Sequence, residues 1–176
     1  VTLLNEYFEL MVDVIFKYEG TLDKFVGDEI MAIWGAPITR DNDTERAVRA
    51  AIEMQHMMRI FNEQQAAQGG NTFEIGIGLN TGEVVAGYMG SSKSMSYTVM
   101  GDNVNTASRF CGAAKPGDLL IGHNTFLEVG YLLEYEKLPA TQLKGKSQHV
   151  DIYRVLGIRG NADPTETNPL GNQYRS

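Results

Sequence analysis

The chain has 176 residues, 43% apolar and 21% charged, with a net charge of −7. That is long enough for one buried core and ordinary for a globular protein, so the prior is a single domain. The acidic balance argues against general nucleic-acid binding, no apolar run reaches the length of a membrane span, and one cysteine, Cys111, excludes an internal disulfide framework.

The opening "VTLLNEYFELMVDVIFKYEG" places Leu3, Leu4, Tyr7, Phe8, Met11, Val14 and Ile15 three and four apart. This spacing predicts one apolar helix face, ended by Gly20. The helical pattern starts without a cap, so something is expected to precede Val1 in the natural protein. "DKFVGDEIMAIWGAP" reads as two short strands joined by a tight turn with Gly27-Asp28 at its tip. "NDTERAVRAAIEMQHMMRIFNEQQAAQ" predicts a long helix opened by Asp43 or Thr44, with Ala47, Ala50, Ala51, Met54, Met58 and Phe61 inward.

"FEIGIGLNTGEVVAGYMG" supplies two strands around an expected turn at Thr81-Gly82, and "SYTVMGDNVNTASRFCGAA" passes from strand to helix near Gly101. "GDLLIG" reads as a strand, "NTFLEVG" as a short helix and "YLLEYEKLPATQLKGKSQHVDIYRVLG" as a final set of strands. The alternation predicts an α+β fold, a ferredoxin-like βαββαβ-type sheet covered by helices. The end, "NADPTETNPLGNQYRS", has little to bury and is expected to be a disordered tail. The expected domain is 1–157, the tail 158–176.

Which residues carry chemistry? Asp28 on a fixed turn could ligate a hard cation, since such cations take oxygen ligands. Taken alone, a Gly-Asp turn is explained by backbone geometry, and Lys24 by solvation. Asn105 and Arg109 lie four apart beyond Gly101 and would share a helix face, an amide for ribose hydroxyls and a guanidinium fork for phosphate. The competing explanation is a polar helix surface with Val104 and Ala107 toward the core. His56, His123, His149 and Cys111 show no triad or ligand spacing and read as packing or surface residues.

Together, "KFVGDEIMAIWG", "NTGEVVAGYMG", "YTVMGDNVNTASR" and "LKGK", in this order and spacing, resemble the class III nucleotidyl cyclase catalytic domain. They look most like the bacterial adenylyl cyclases with a threonine in the base pocket. The resemblance implies ATP as substrate, two Mg²⁺ (or Mn²⁺) per active site, and attack by the ribose 3′ oxygen on the α-phosphorus. It gives Asp28 to the metal, Lys24 and Thr98 to the base, Asn105 to the ribose, Arg109 to the α-phosphate and Lys144 to the terminal phosphates. Adenine offers an acceptor at N1 and a donor at its 6-amino group, which an ammonium and a hydroxyl can satisfy.

The resemblance further implies a head-to-tail homodimer with shared sites, an upstream sensor domain, a cytoplasmic location and, for this branch, a bicarbonate response. A second metal aspartate is expected on a strand before the first helix, upstream of Val1. The alternatives are a guanylyl cyclase, a non-catalytic nucleotide-binding domain, and a plain structural domain, which would explain the glycines and strands but not the joint appearance of Lys24, Asp28, Thr98, Asn105, Arg109 and Lys144.

Overall fold

The structure is a computed structural model describing residues 2–139, 141–142 and 149–160. Lys144 and the expected tail beyond residue 160 lie outside the described residues. Helix α1 (Thr2–Lys17) buries Tyr7, Met11, Val14 and Ile15, the stripe that the sequence spacing predicts. It is followed by strands β1 (Thr21–Val26) and β2 (Glu29–Ile33), an antiparallel hairpin whose last pair is Val26 with Glu29. The two-residue turn is therefore Gly27-Asp28, as the sequence predicts, with Gly27 at φ 63°, a conformation that costs glycine little.

At the end of α1 the left-handed residue is Glu19, φ 63°, where the sequence suggested Gly20. Gly20 is required for another reason: a β-carbon there would stand 2.6 Å from the Trp34 ring. Trp34 in turn donates its indole N–H to the Tyr18 carbonyl at 2.9 Å, which fastens the hairpin to the helix end.

Helix α2 (Asp43–Ala67) begins after Asn42, which takes the cap position at φ 66° with no side-chain cap bond. Asp43 sits one residue inside, and its carboxylate accepts the Arg40 amide at 2.9 Å. Val48, Ala51 and Ile52 pack on the sheet, whereas Ala50 meets Val14 and Tyr18, and Met58 meets Tyr7 and Met11. Ala47 is buried, and Met54 and Phe61 pack at the edges of the α1 contact.

Strands β3 (Ile77–Leu79), β4 (Val85–Ser91) and β5 (Ser94–Met100) lead to helix α3 (Asp102–Ala113). Then come β6 (Leu119–Gly122), α4 (His123–Val129), a 3-10 turn (Gly130–Leu132), β7 (Leu133–Lys137), β8 (Thr141–Gln142), β9 (His149–Val150) and β10 (Ile152–Ile158). The larger sheet has the order β3-β6-β10-β7, with β3 parallel to β6 and the other pairs antiparallel. The β1-β2, β4-β5 and β8-β9 pairs form separate ladders, and among the described residues no strand bonds to both β2 and β3.

β3 and β4 are both strands, but the turn expected at Thr81-Gly82 does not join them as a hairpin. β3 finds its partner in β6 and β4 in β5. The loop between them is tied to α3 instead: Asn103 donates to the Glu83 carbonyl at 2.8 Å, and Asn80 donates to the Asn103 carbonyl at 3.1 Å. Gly82 permits this, since a β-carbon there would lie 2.2 Å from the Asn103 amide.

Candidate functional site

The site begins with the β1-β2 hairpin. Lys24 is exposed on β1 and pairs with Met31 across the ladder, and Asp28 is exposed at the turn. β1 also touches β5. The link is a hydrogen bond in which the Thr98 hydroxyl donates to Asp23 Oδ2 at 3.1 Å. Thr98 and Asp23, 75 residues apart in the chain, are thus brought together, with Lys24 the next residue along β1.

Beyond Thr98, β5 ends at Met100, and Gly101, φ 133°, swings the chain into α3. The backbone N–H of Asn105 donates to the Gly101 carbonyl at 3.2 Å and closes the first turn. Asn105 is exposed. Arg109, one turn further on, is half-buried, and its Nη1 is fully buried with no hydrogen-bond partner among the described residues. Leaving such a donor unmet costs roughly 1–3 kcal/mol, and more when it is charged, so it calls for an explanation. Arg49 Nη1 and Glu53 Oε2 are buried and unmet in the same way.

α3 lies close on β3. A β-carbon on Gly78 would approach the Cys111 amide to 2.2 Å, so only glycine allows the helix this near the strand. Cys111 sits under that contact, and burial, helped by the Glu29 carboxylate, pushes its thiol pKa up. We expect this thiol to react with a disulfide reagent at pH 8 several-fold more slowly than free cysteine, because less of it is thiolate. Tyr7 is pushed up to about 12, first by burial and then by the charge of Asp28. His123, one of the histidines read as packing or surface residues, has its Nδ1 3.1 Å from the Tyr153 hydroxyl, on a different part of the sheet.

Do these residues fit a cation? The Asp28 carboxylate is the right donor for a hard ion shared with phosphate oxygens, and a turn holds it in the open. Among the described residues, no cluster of three His, Cys, Asp or Glu side chains could hold a metal. One carboxylate fits one cation shared with a substrate.

A sequence model described as the "Adenylate and Guanylate cyclase catalytic domain" matches residues 1–157. The chain belongs to that family. Among relatives of this cyclase domain, "Adenylate cyclase 1" of Rhizobium meliloti (strain 1021) is 33% identical over 168 residues, which are 94% of this chain and 25% of that protein. "Adenylate cyclase" of Anabaena cylindrica is 33% identical over 161 residues, 86% of this chain and 31% of that protein. The domain thus spans about a quarter to a third of these relatives' length. The adenylyl cyclase CyaB from P. aeruginosa superposes with a TM-score of 0.87 at 36% identity, covering 92% of this chain and 84% of that one. The guanylyl cyclase Cya2 gives 0.86 at 37% identity, covering 93% and 83%. These neighbours carry the same α+β cyclase fold.

Asp23 is the residue that sequence reasoning missed. It stands beside Lys24, but nothing in the alternation of β1 reveals that it reaches β5.

Proposed function

We propose that this chain is the catalytic domain of an adenylyl cyclase, converting ATP to 3′,5′-cyclic AMP and pyrophosphate at sites shared by two copies. The observation that carries the reading is the Arg109 guanidinium, whose buried Nη1 lacks a partner one helical turn beyond Asn105. A cation held this way is suited to the charge that grows on an α-phosphate during displacement.

The roles follow from the donors available. Lys24 donates to N1 of adenine and Thr98 meets the 6-amino group. Asn105 orients the ribose so that its 3′ oxygen faces the α-phosphorus. Arg109 answers the charge on the phosphoryl oxygens, and Lys144, outside the described residues, is assigned to the terminal phosphates. No side chain needs to act as a nucleophile. A Mg²⁺ or Mn²⁺ held by Asp28 would supply Lewis-acid stabilisation. The second cation of the expected pair has no carboxylate set among the described residues.

A head-to-tail homodimer is supported by exposed apolar side chains on the β4-β5 hairpin. Val85 is 68% and Tyr88 72% exposed, and Met89, Met95 and Met100 are also in the open. The pairing puts Val85, Met89 and Met100 on one face of the hairpin and Tyr88 and Met95 on the other, so both faces offer apolar side chains to a partner. We assign Asp28 of one copy to a site whose Lys24, Thr98, Asn105, Arg109 and Lys144 come from the other. No helix among the described residues is long and apolar enough to cross a membrane.

A guanylyl cyclase is the second reading, favoured by the near-equal likeness to Cya2. The test is product formation from ATP and from GTP with Mg²⁺ or Mn²⁺, read as cyclic nucleotide and pyrophosphate in equal amounts. Cyclic AMP as the main product is expected. Faster turnover of GTP would replace the reading with the second, and nucleotide binding without either product would make the domain non-catalytic.

A further inference from the structure

We propose that Asp23 is a positioning residue for base selection, one that fixes the Thr98 hydroxyl as a hydrogen-bond acceptor and so favours a 6-amino purine over a 6-oxo purine. The inference rests on the adenylyl cyclase reading and deepens it.

The direction of the Asp23–Thr98 bond is what matters. An ionised carboxylate can only accept, so in the 3.1 Å contact the proton must come from Thr98. A threonine hydroxyl has one proton and two lone pairs. With its proton committed to Asp23, Oγ1 presents only lone pairs to anything else. An adenine 6-amino group donates to such an atom, whereas the 6-oxo group of guanine or hypoxanthine sets lone pair against lone pair. A free threonine hydroxyl could rotate to serve either. Asp23 removes that freedom.

Two features of the backbone build the arrangement. In the β1-β2 ladder Leu22 pairs with Ala32 and Lys24 with Met31, so Asp23 is the extra residue at a register shift. A bulge of this kind re-aims side chains that strict alternation would send elsewhere. Here it lets Asp23 reach β5 from beside Lys24. Across the β4-β5 ladder, Thr98 pairs with Gly87, and a β-carbon at Gly87 would meet nothing within 4 Å. Paired residues share a face of the sheet, so the side of Thr98 toward β4 is left open for a ligand.

The test compares kcat/KM and competitive binding for ATP and inosine triphosphate, which carries a 6-oxo group and lacks the 2-amino group of GTP. Asp23→Ala is expected to raise the inosine-to-adenosine ratio roughly tenfold or more, since the freed hydroxyl can donate. In a Thr98→Ala background the same substitution should leave the ratio unchanged within about twofold. Asp23→Asn keeps the size of the side chain but can donate its amide to Oγ1, so it should move the ratio the same way even if the alanine variant folds poorly.

Parallel loss of both substrates with an unmoved ratio would mean that the bond only ties two hairpins together, and the proposal fails. A ratio change that persists without Thr98 overturns it as well. A wild-type chain that neither binds nor cyclises ATP defeats the adenylyl cyclase reading itself, and the role of Asp23 with it.

Discussion

Asp28→Ala and Arg109→Ala chains are each expected to be inactive alone, and an equal mixture to regain about a quarter of the wild-type rate. The fraction follows from pairing. Random association makes half the dimers mixed, and each mixed dimer has one site with both residues intact and one with neither. Asp28 is exposed at a two-residue turn whose geometry depends on Gly27, so its truncation removes a carboxylate and little else. Arg109→Ala removes a charge whose Nη1 has no partner among the described residues, so no protein hydrogen bond from that atom is lost. Loss of one such electrostatic group costs on the order of 100- to 1,000-fold in kcat. Cyclic AMP production measured against mixing ratio should peak at equal amounts. A mixture no more active than its parts would place both residues in one chain's site or in none.

How far was this arrangement legible in the sequence? The helices were, because Tyr7, Met11, Val14 and Ile15, and later Ala47, Ala50, Ala51 and Met58, repeat with the helical period and are the residues buried. The Gly27-Asp28 turn and the entry to α3 at Gly101 were also readable, since glycine marks both. Pairing between distant strands was not. β3 takes β6 as a parallel partner across α3, and no local signal around Thr81-Gly82 distinguishes that from a hairpin. The register shift at Asp23 was equally hidden, because a bulge is a property of two strands and β1 alone does not show it. The resemblance to the cyclase family singled out Lys24 and Thr98. Only the folded chain joins them through Asp23.

Lys24→Glu should cut kcat/KM for ATP by roughly 100-fold and turn the preference toward GTP. Lys24 is exposed, so the exchange opens no cavity, and changes in activity can be read as changes in recognition. Adenine N1 brings a lone pair that an ammonium satisfies and a carboxylate repels, while guanine brings N1–H and a 2-amino group, both donors a carboxylate accepts. Hydrogen bonds to charged groups contribute roughly 1.5–3 kcal/mol, and reversing one both removes a favourable contact and adds an unfavourable one. That is enough for about two orders of magnitude. The gain for GTP should still be modest, because the guanine 6-oxo group faces Thr98 with its proton held by Asp23. Adding Asp23→Asn to Lys24→Glu would then lift GTP turnover further without restoring ATP. The two substitutions address N1 and the 6-position separately, so their effects on the GTP-to-ATP ratio should multiply. Steady-state rates with both nucleotides across the four variants check this, and a second substitution that lowers GTP and ATP alike would leave Lys24 as the only base-reading group.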